Sequence, residues 1–201
     1  MKRALILIAS VAMIALVATP CFGQDMYQHE LEKMYETDQG HRSRIDSLRK
    51  IHGPDSDEVR KTWDIQREID EKNIARLEAI IEEIGWPKIS DVGKRASTAA
   101  FLILQHAELA MQQKYLPLVR EAWSVEEVSG QHMALLEDRI LMREEKPQIY
   151  GTQLVYDENG ELKLYPIADE ANVDKRRAEM GMWPLAEYLQ LQGIEYKPPN
   201  K

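Results

Sequence analysis

Cysteine is nearly missing from these 201 residues: Cys21 is the one example, and it falls in an N-terminal stretch that reads as a removable leader. A disulfide framework is therefore excluded for the mature chain, and the core must hold the fold alone. An excess of positive charge is missing too, since 26 Lys and Arg stand against 34 Asp and Glu, a formal charge of −8. That balance speaks against a general polyanion-binding surface, so nucleic acid is not an expected partner, although a local basic pocket stays open. There is no His-Glu-x-x-His sequence, phosphate loop or dinucleotide fingerprint. Nine prolines and ten glycines are too few for a collagen-like or disordered chain. What is there, 44% hydrophobic and 30% charged residues, is the composition of one compact domain.

The leader comes first. Lys2 and Arg3 precede an apolar run from Ala4 to Ala18, and Pro20-Cys21-Phe22-Gly23 then leads into polar Gln24 and Asp25, the layout of a secretory signal peptide. A spanning helix takes about 20 apolar residues, and this run is shorter. Cleavage after Gly23 is the expectation, with a retained membrane anchor as the alternative. Lipidation at Cys21 is disfavoured by Pro20, which stands where that signal wants a small residue. Cleavage leaves 178 of the 201 residues, takes the formal charge from −8 to −10 with the loss of Lys2 and Arg3, and leaves no spanning segment. The mature protein is expected in the periplasm or outside the cell.

Residues 24–54 form an N-terminal segment, helical or partly flexible, with a weak stripe of Tyr27, Leu31, Met34 and Tyr35 and a weaker one of Ile45 and Leu48. Asp55 with Glu58 has the form of a capping box before a long helical pattern that stops at Gly85-Trp86-Pro87. Within it Trp63, Asp70, Leu77 and Ile84 recur every seven residues, beside Gln66, Asn73 and Ile80. Asp70 thus falls on the apolar face and requires a partner or a polar cavity; Arg139 is one candidate. Ser90 is expected to cap the most apolar helix, Ala96 through Ala110, which carries Gln105, His106 and Glu108. His106 is a core histidine, a general base or a single metal ligand.

Pro117 suits the first turn of a further helix, and Ser129-Gly130 precedes a helix over about 131–143 with Asp138 and Arg139 inside its apolar pattern. Those two point about 100° apart and need different partners. Tyr150–Tyr156 and Glu161–Pro166 flank Asp157-Glu158-Asn159-Gly160, whose Asn-Gly pair predicts a hairpin. An isolated hairpin is marginal, so it lies against the helices, with Gln148, Tyr150, Thr152 and Gln153 as a polar rim. Asp169 is expected to cap a helix over about 170–180 ended by Gly181, and Pro184 to begin a last one reaching about Gln192, followed by a loose tail over 193–201. The fold class is mainly α: a single-domain multi-helix bundle over 55–192 with a small β-hairpin near the C-terminal third.

Trp86-Pro87, Ser90 with Val92-Gly93, Gln105-His106-Ala107, Asp138-Arg139, Gln148 with Tyr150-Gly151-Thr152-Gln153, and Val173-Asp174 with Arg176-Arg177 occur in an order that resembles a bacterial domain family of unknown function. The resemblance runs from about Asp70 to Tyr188. It implies no activity, but it marks Gln105, His106, Asp138, Arg139, Tyr150, Gln153, Asp174 and Arg177 as positions to test. Glu108 stands where that family commonly carries aspartate, a change of reach more than of chemistry.

Three readings follow. In the first, a small-ligand-binding module of the cell envelope holds a small acidic ligand through Arg139, Arg176 and Arg177, with Gln105, Tyr150 and Gln153 placing the rest of it. In the second, a hydrolase uses His106 as general base with Asp138 or Asp174 as its orienting carboxylate, water attacking directly or on a metal; no metal-ligand pattern or cofactor signature is evident. In the third, the polar residues specify helix packing and a surface near Trp123 and Trp183 binds an envelope protein.

Overall fold

A computed structural model describes residues 22–197; residues 1–21 of the expected leader, Lys2, Arg3 and Cys21 among them, and residues 198–201 of the tail lie outside the described residues. The elements in chain order are α1 (Phe22–His52), α2 (Asp57–Ile84), α3 (Ile89–His106), α4 (Leu109–Ser124) and α5 (Gly130–Arg143), then strands β1 (Leu154–Tyr156) and β2 (Leu162–Leu164), and the short α6 (Val173–Glu179) and α7 (Leu185–Leu191). The strands pair antiparallel, Val155 opposite Lys163, so the molecule is a mainly α, multi-helix domain with one hairpin near its C-terminal third.

The helix α3 is central because its sequence lets neighbours approach. Ala96, Ala99 and Ala100 are buried, and their small side chains admit α1, which brings Tyr27 and Leu31 into the same core as Leu77 and Ile80 of α2 and Phe101 and Leu104 of α3. From α5 come Met133, Ala134, Leu136 and Ile140. The segment 25–50, expected to be helical or partly loose, is one continuous helix, since a weakly apolar stripe suffices once α3 supplies the facing surface.

Several local expectations are corrected. The cap of α2 is Ser56, whose hydroxyl accepts from the Val59 N–H, and not Asp55. The residue before α3 is Lys88, without a side-chain cap, while the Ser90 N–H donates to Glu127 Oε2 at 2.9 Å. Gly93 breaks that helix at φ +80, a conformation that L side chains rarely adopt. Pro117 sits inside α4, where it withholds the N–H that would reach the Gln113 carbonyl. The residues 107–108 break the chain instead, and Gln112 Nε2 donates to the carbonyls of Leu104 and Gln105 that end α3. Asp169 lies at positive φ, and its carboxylate holds the Asn172 side-chain amide rather than a backbone N–H. A single 3-10 turn, Glu170–Asn172, then precedes α6.

The junction of α5 with α6 is tight. A Cβ on Gly130 would stand 2.5 Å from the Met180 carbonyl oxygen, so backbone meets backbone there. Two residues on, the His132 ring stacks on Phe101 with centroids 4.0 Å apart. Burial, with a smaller contribution from the Lys94 charge, depresses the His132 imidazole to about 4. The neutral ring is thus part of the folded state, while the unfolded chain protonates it near the ordinary value of about 6.5. The sign follows: this stability is complete above that value and is lost as pH falls toward 4. Urea unfolding is expected to show stability declining across this window by about 3 kcal/mol more in the wild type than in His132→Phe, which keeps the stack and cannot charge; parallel pH profiles for the two proteins would refute the assignment.

Candidate functional site

The polar residues singled out in the sequence divide between two places. The first is the loop between α5 and β1. Asp138, wholly buried, accepts from the N–H groups of Ile149 at 2.7 Å, Tyr150 at 3.0 Å and Thr152 at 3.0 Å, and from the Thr152 hydroxyl at 2.9 Å. The carbonyls of the same loop go to the arginines of α6: Arg176 Nε donates to Ile149 at 3.0 Å and Arg177 Nη1 to Tyr150 at 2.7 Å. Gln148 behaves as a substitute strand. Its side-chain oxygen takes the Gln153 N–H at 2.8 Å, and its Nε2 donates to the Gln153 and Tyr165 carbonyls. Gln153 Nε2 donates to the Thr152 hydroxyl. Gly151, at φ +73 with Leu185 and Ile167 against the place of a Cβ, lets the loop close.

These residues were expected as a polar rim; instead Gln148, Thr152 and Gln153 are buried, because the loop passes under the hairpin and each backbone group needs a partner. Burial pushes the Asp138 carboxyl above its ordinary value against the pull of its donors. The Tyr150 hydroxyl donates to Glu137, and burial together with that charge pushes it up. Asp174 accepts the Leu185 N–H that opens α7. Arg177 and Thr152 of this first place also border a cleft.

That cleft, of about 410 Å³, lies between α5 and the α6–α7 turn and is lined by Gln131, Leu135, Thr152, Arg177, Trp183 and Tyr188 among others. Arg177 is 1% exposed, yet Trp183 and Leu191, also in its wall, are 63% and 67% exposed. The Arg177 guanidinium also donates to the Trp183 carbonyl at 2.6 Å and lies 5.1 Å from the centre of the Tyr188 ring. The charges of Asp174 and Asp138 act on it favourably, although burial still draws its pKa down.

The second place joins α1, α2, α3 and α5. Asp38, 2% exposed, accepts from Arg42 Nε at 2.9 Å, Gln66 Nε2 at 3.0 Å and Gln39 Nε2 at 2.7 Å. His106 Nδ1 stands 3.5 Å from Asp38 Oδ2, close enough for an ion pair but not aligned as a hydrogen bond. Burial raises the Asp38 carboxyl, but His106 and Arg42 outweigh it and hold it below its usual value. Asp70 pairs with Arg42 Nη2 at 2.7 Å; the pairing with Arg139 is not formed. Arg139 has a buried Nε without a hydrogen-bond partner. Burial, and then the charges of Arg143 and Arg42, bring its guanidinium down to about 10. Arg143 donates to the Ala107 carbonyl at 2.6 Å, and Gln105 Nε2 to that of Leu135 at 3.3 Å.

His106 and Arg139 therefore share one region, while Asp138, Tyr150, Gln153, Asp174, Arg176 and Arg177 share another. Sequence reasoning missed Asp38, Arg42 and Arg143. Asp38 and Arg42 are spaced i, i+4 within a charged helix, and that spacing alone does not show which charges turn inward. Among the described residues no group of three or more His, Cys, Asp or Glu is placed to hold a metal ion.

A family of unknown function, DUF6624, matches residues 25–197, and the chain belongs to that family. The match takes in α1, ahead of the Asp70–Tyr188 span of the short signatures. No curated protein and no solved structure matches the chain.

Replacing Asp138 tests what holds the first place together. Asp138→Asn exchanges one acceptor oxygen for a donor facing N–H groups, and the expected loss is on the order of 3 kcal/mol in urea unfolding. A loss under about 1 kcal/mol would mean that the loop finds other partners.

Proposed function

We propose that this domain is a small-ligand-binding module and that the cleft between α5 and the α6–α7 turn is its binding site. One observation carries the reading: a cavity of about 410 Å³ whose wall keeps Trp183 and Leu191 in solvent while its floor holds the buried Arg177. Large apolar side chains left open around a concave site with a few polar groups are what a ligand covers, and the volume lies within the range of small-molecule sites. The ligand is ring-bearing and mainly apolar, since Trp183, Tyr188, Met182 and Leu135 offer it flat or aliphatic surface. Its polar end is a neutral acceptor of the kind the Arg177 guanidinium already serves, the carbonyls of Trp183 and Tyr150. Arg176, Tyr150 and Gln153 support this site by holding the loop beneath it.

The cell-envelope setting rests on the N-terminal leader read from the sequence; no described helix is long and apolar enough to cross a membrane. A hydrolytic reading is favoured by one separate observation, the 3.5 Å approach of His106 to Asp38, a base beside an orienting carboxylate. It places the chemistry at the second region rather than with Asp138 or Asp174.

Indole and benzamide serve as probes of the cleft, followed through the tryptophan indole N–H resonances of the labelled protein. The expected result is a saturable shift of the Trp183 resonance, identified by its loss in Trp183→Ala, with binding at least about tenfold weaker in that variant. Shifts that do not saturate, or that spread equally over Trp63, Trp86 and Trp123, would overturn the assignment.

A further inference from the structure

The region between α1 and α5 contains a positive charge that the fold itself does not answer. Arg42 has two carboxylates, Asp38 and Asp70. Arg143 has the Ala107 carbonyl and the favourable charge of Glu108. Arg139 has neither: its Nε is buried without an acceptor, no described carboxylate forms an ion pair with it, and Arg143 stands one turn along the same face of α5. Asp138, its neighbour in sequence, is spent on the loop on another side of α5. Water would satisfy the N–H but not the charge, and a half-buried guanidinium among cations is costly unless a counter-ion is supplied.

We infer that Arg139, with Arg42, Arg143 and His106, forms a binding site for a small oxyanion group, distinct from the cleft that contains Trp183. The group is a phosphate, sulfate or carboxylate, because a guanidinium offers parallel donors that match two oxygens of such a group. Arg42 is held in place by Asp38, Asp70 and the network through Gln66. Arg143 is held by its carbonyl bond. The cations are thus positioned before the anion arrives, which lowers the ordering cost of binding. His106, at the end of α3 with 20% of its side chain exposed, borders the same region, since Arg143 bonds the carbonyl of the next residue, Ala107. None of these four residues lines the cleft, so the site goes beyond the cleft reading and stands or falls separately from it.

The test uses the exported chain. Inorganic phosphate, sulfate and acetate are titrated by calorimetry, and thermal unfolding is compared with chloride at equal ionic strength. The expected result is a saturable heat and a raised melting temperature for at least one anion; phosphate or sulfate prevailing over acetate marks a tetrahedral group, and the reverse a carboxylate. Arg139→Met should weaken that binding by at least about tenfold. It should also melt higher than the wild type in chloride, since an unanswered charge has been removed. A purely structural Arg139 would give the opposite, a lower melting temperature with no anion response to lose. Should Arg139→Met not fold, Arg143→Gln should weaken the anion response several-fold. No saturable response to any of the three anions, or an unchanged response in the variants, would overturn the site.

Discussion

The C-terminal half of the molecule depends on one buried carboxylate that has no cation bound to it. Asp138 draws the N–H groups of Ile149, Tyr150 and Thr152 toward α5, which turns their carbonyls outward, where Arg176 and Arg177 meet two of them. That exchange fixes α6 against the loop. Through Arg177 and Asp174 it then fixes the Trp183 carbonyl and the first turn of α7. The hairpin would be marginal by itself with strands of three residues; it is ordered because Gln148 pairs with Gln153 and Tyr165 like a missing strand. The cleft exists as a consequence, since its floor and one wall are parts of this framework.

How much of this the sequence carries can be judged residue by residue. The helices α2, α3 and α5 were legible because their apolar spacing and the stops at Gly85 and Ser129-Gly130 are local signals. The starting points were less so. Asp55 and Ser56 are both good caps, and only the turn at Gly53-Pro54 decides between them. Pro117 reads as a helix start because the break at 107–108 is held from outside by Gln112, a contact that periodicity cannot show. The burial of Gln148, Thr152 and Gln153 escaped the reading for a related reason: their partners are backbone groups of a loop, with no pattern of their own.

The polar residues show the same limit at the next level. Asp138 and Arg139 were read as having different partners, and helix geometry makes that unavoidable. Which partners they have depends on α1, whose Asp38 and Arg42 look in the sequence like a solvated pair. Once α1 packs on α3, Asp38 is buried beside His106, and Arg42 takes Asp70. Arg139 is then left over. The short signatures therefore mix two kinds of residue: those that close the loop and those gathered around α1 and α5.

The two proposed sites make opposite demands on one acidic protein. The net charge of −8 repels anions at long range, so it slows their approach and gives no help to loose surface binding. An anion retained under those conditions has to be held by short, partly desolvated contacts, and these strengthen where solvent screening is weak. Arg139 meets that description, whereas exposed pairs such as Arg60 with Asp57 do not. Leaving Arg139 without a counter-ion lowers the stability of the empty fold, and functional sites are where such local costs concentrate. At Asp138 the buried carboxylate is met by three backbone N–H groups and the Thr152 hydroxyl, and it serves to hold the chain in place. The difference between a buried charge with partners and one without, on adjacent residues of one helix, separates what this fold uses to hold itself together from what the proposed anion site would use.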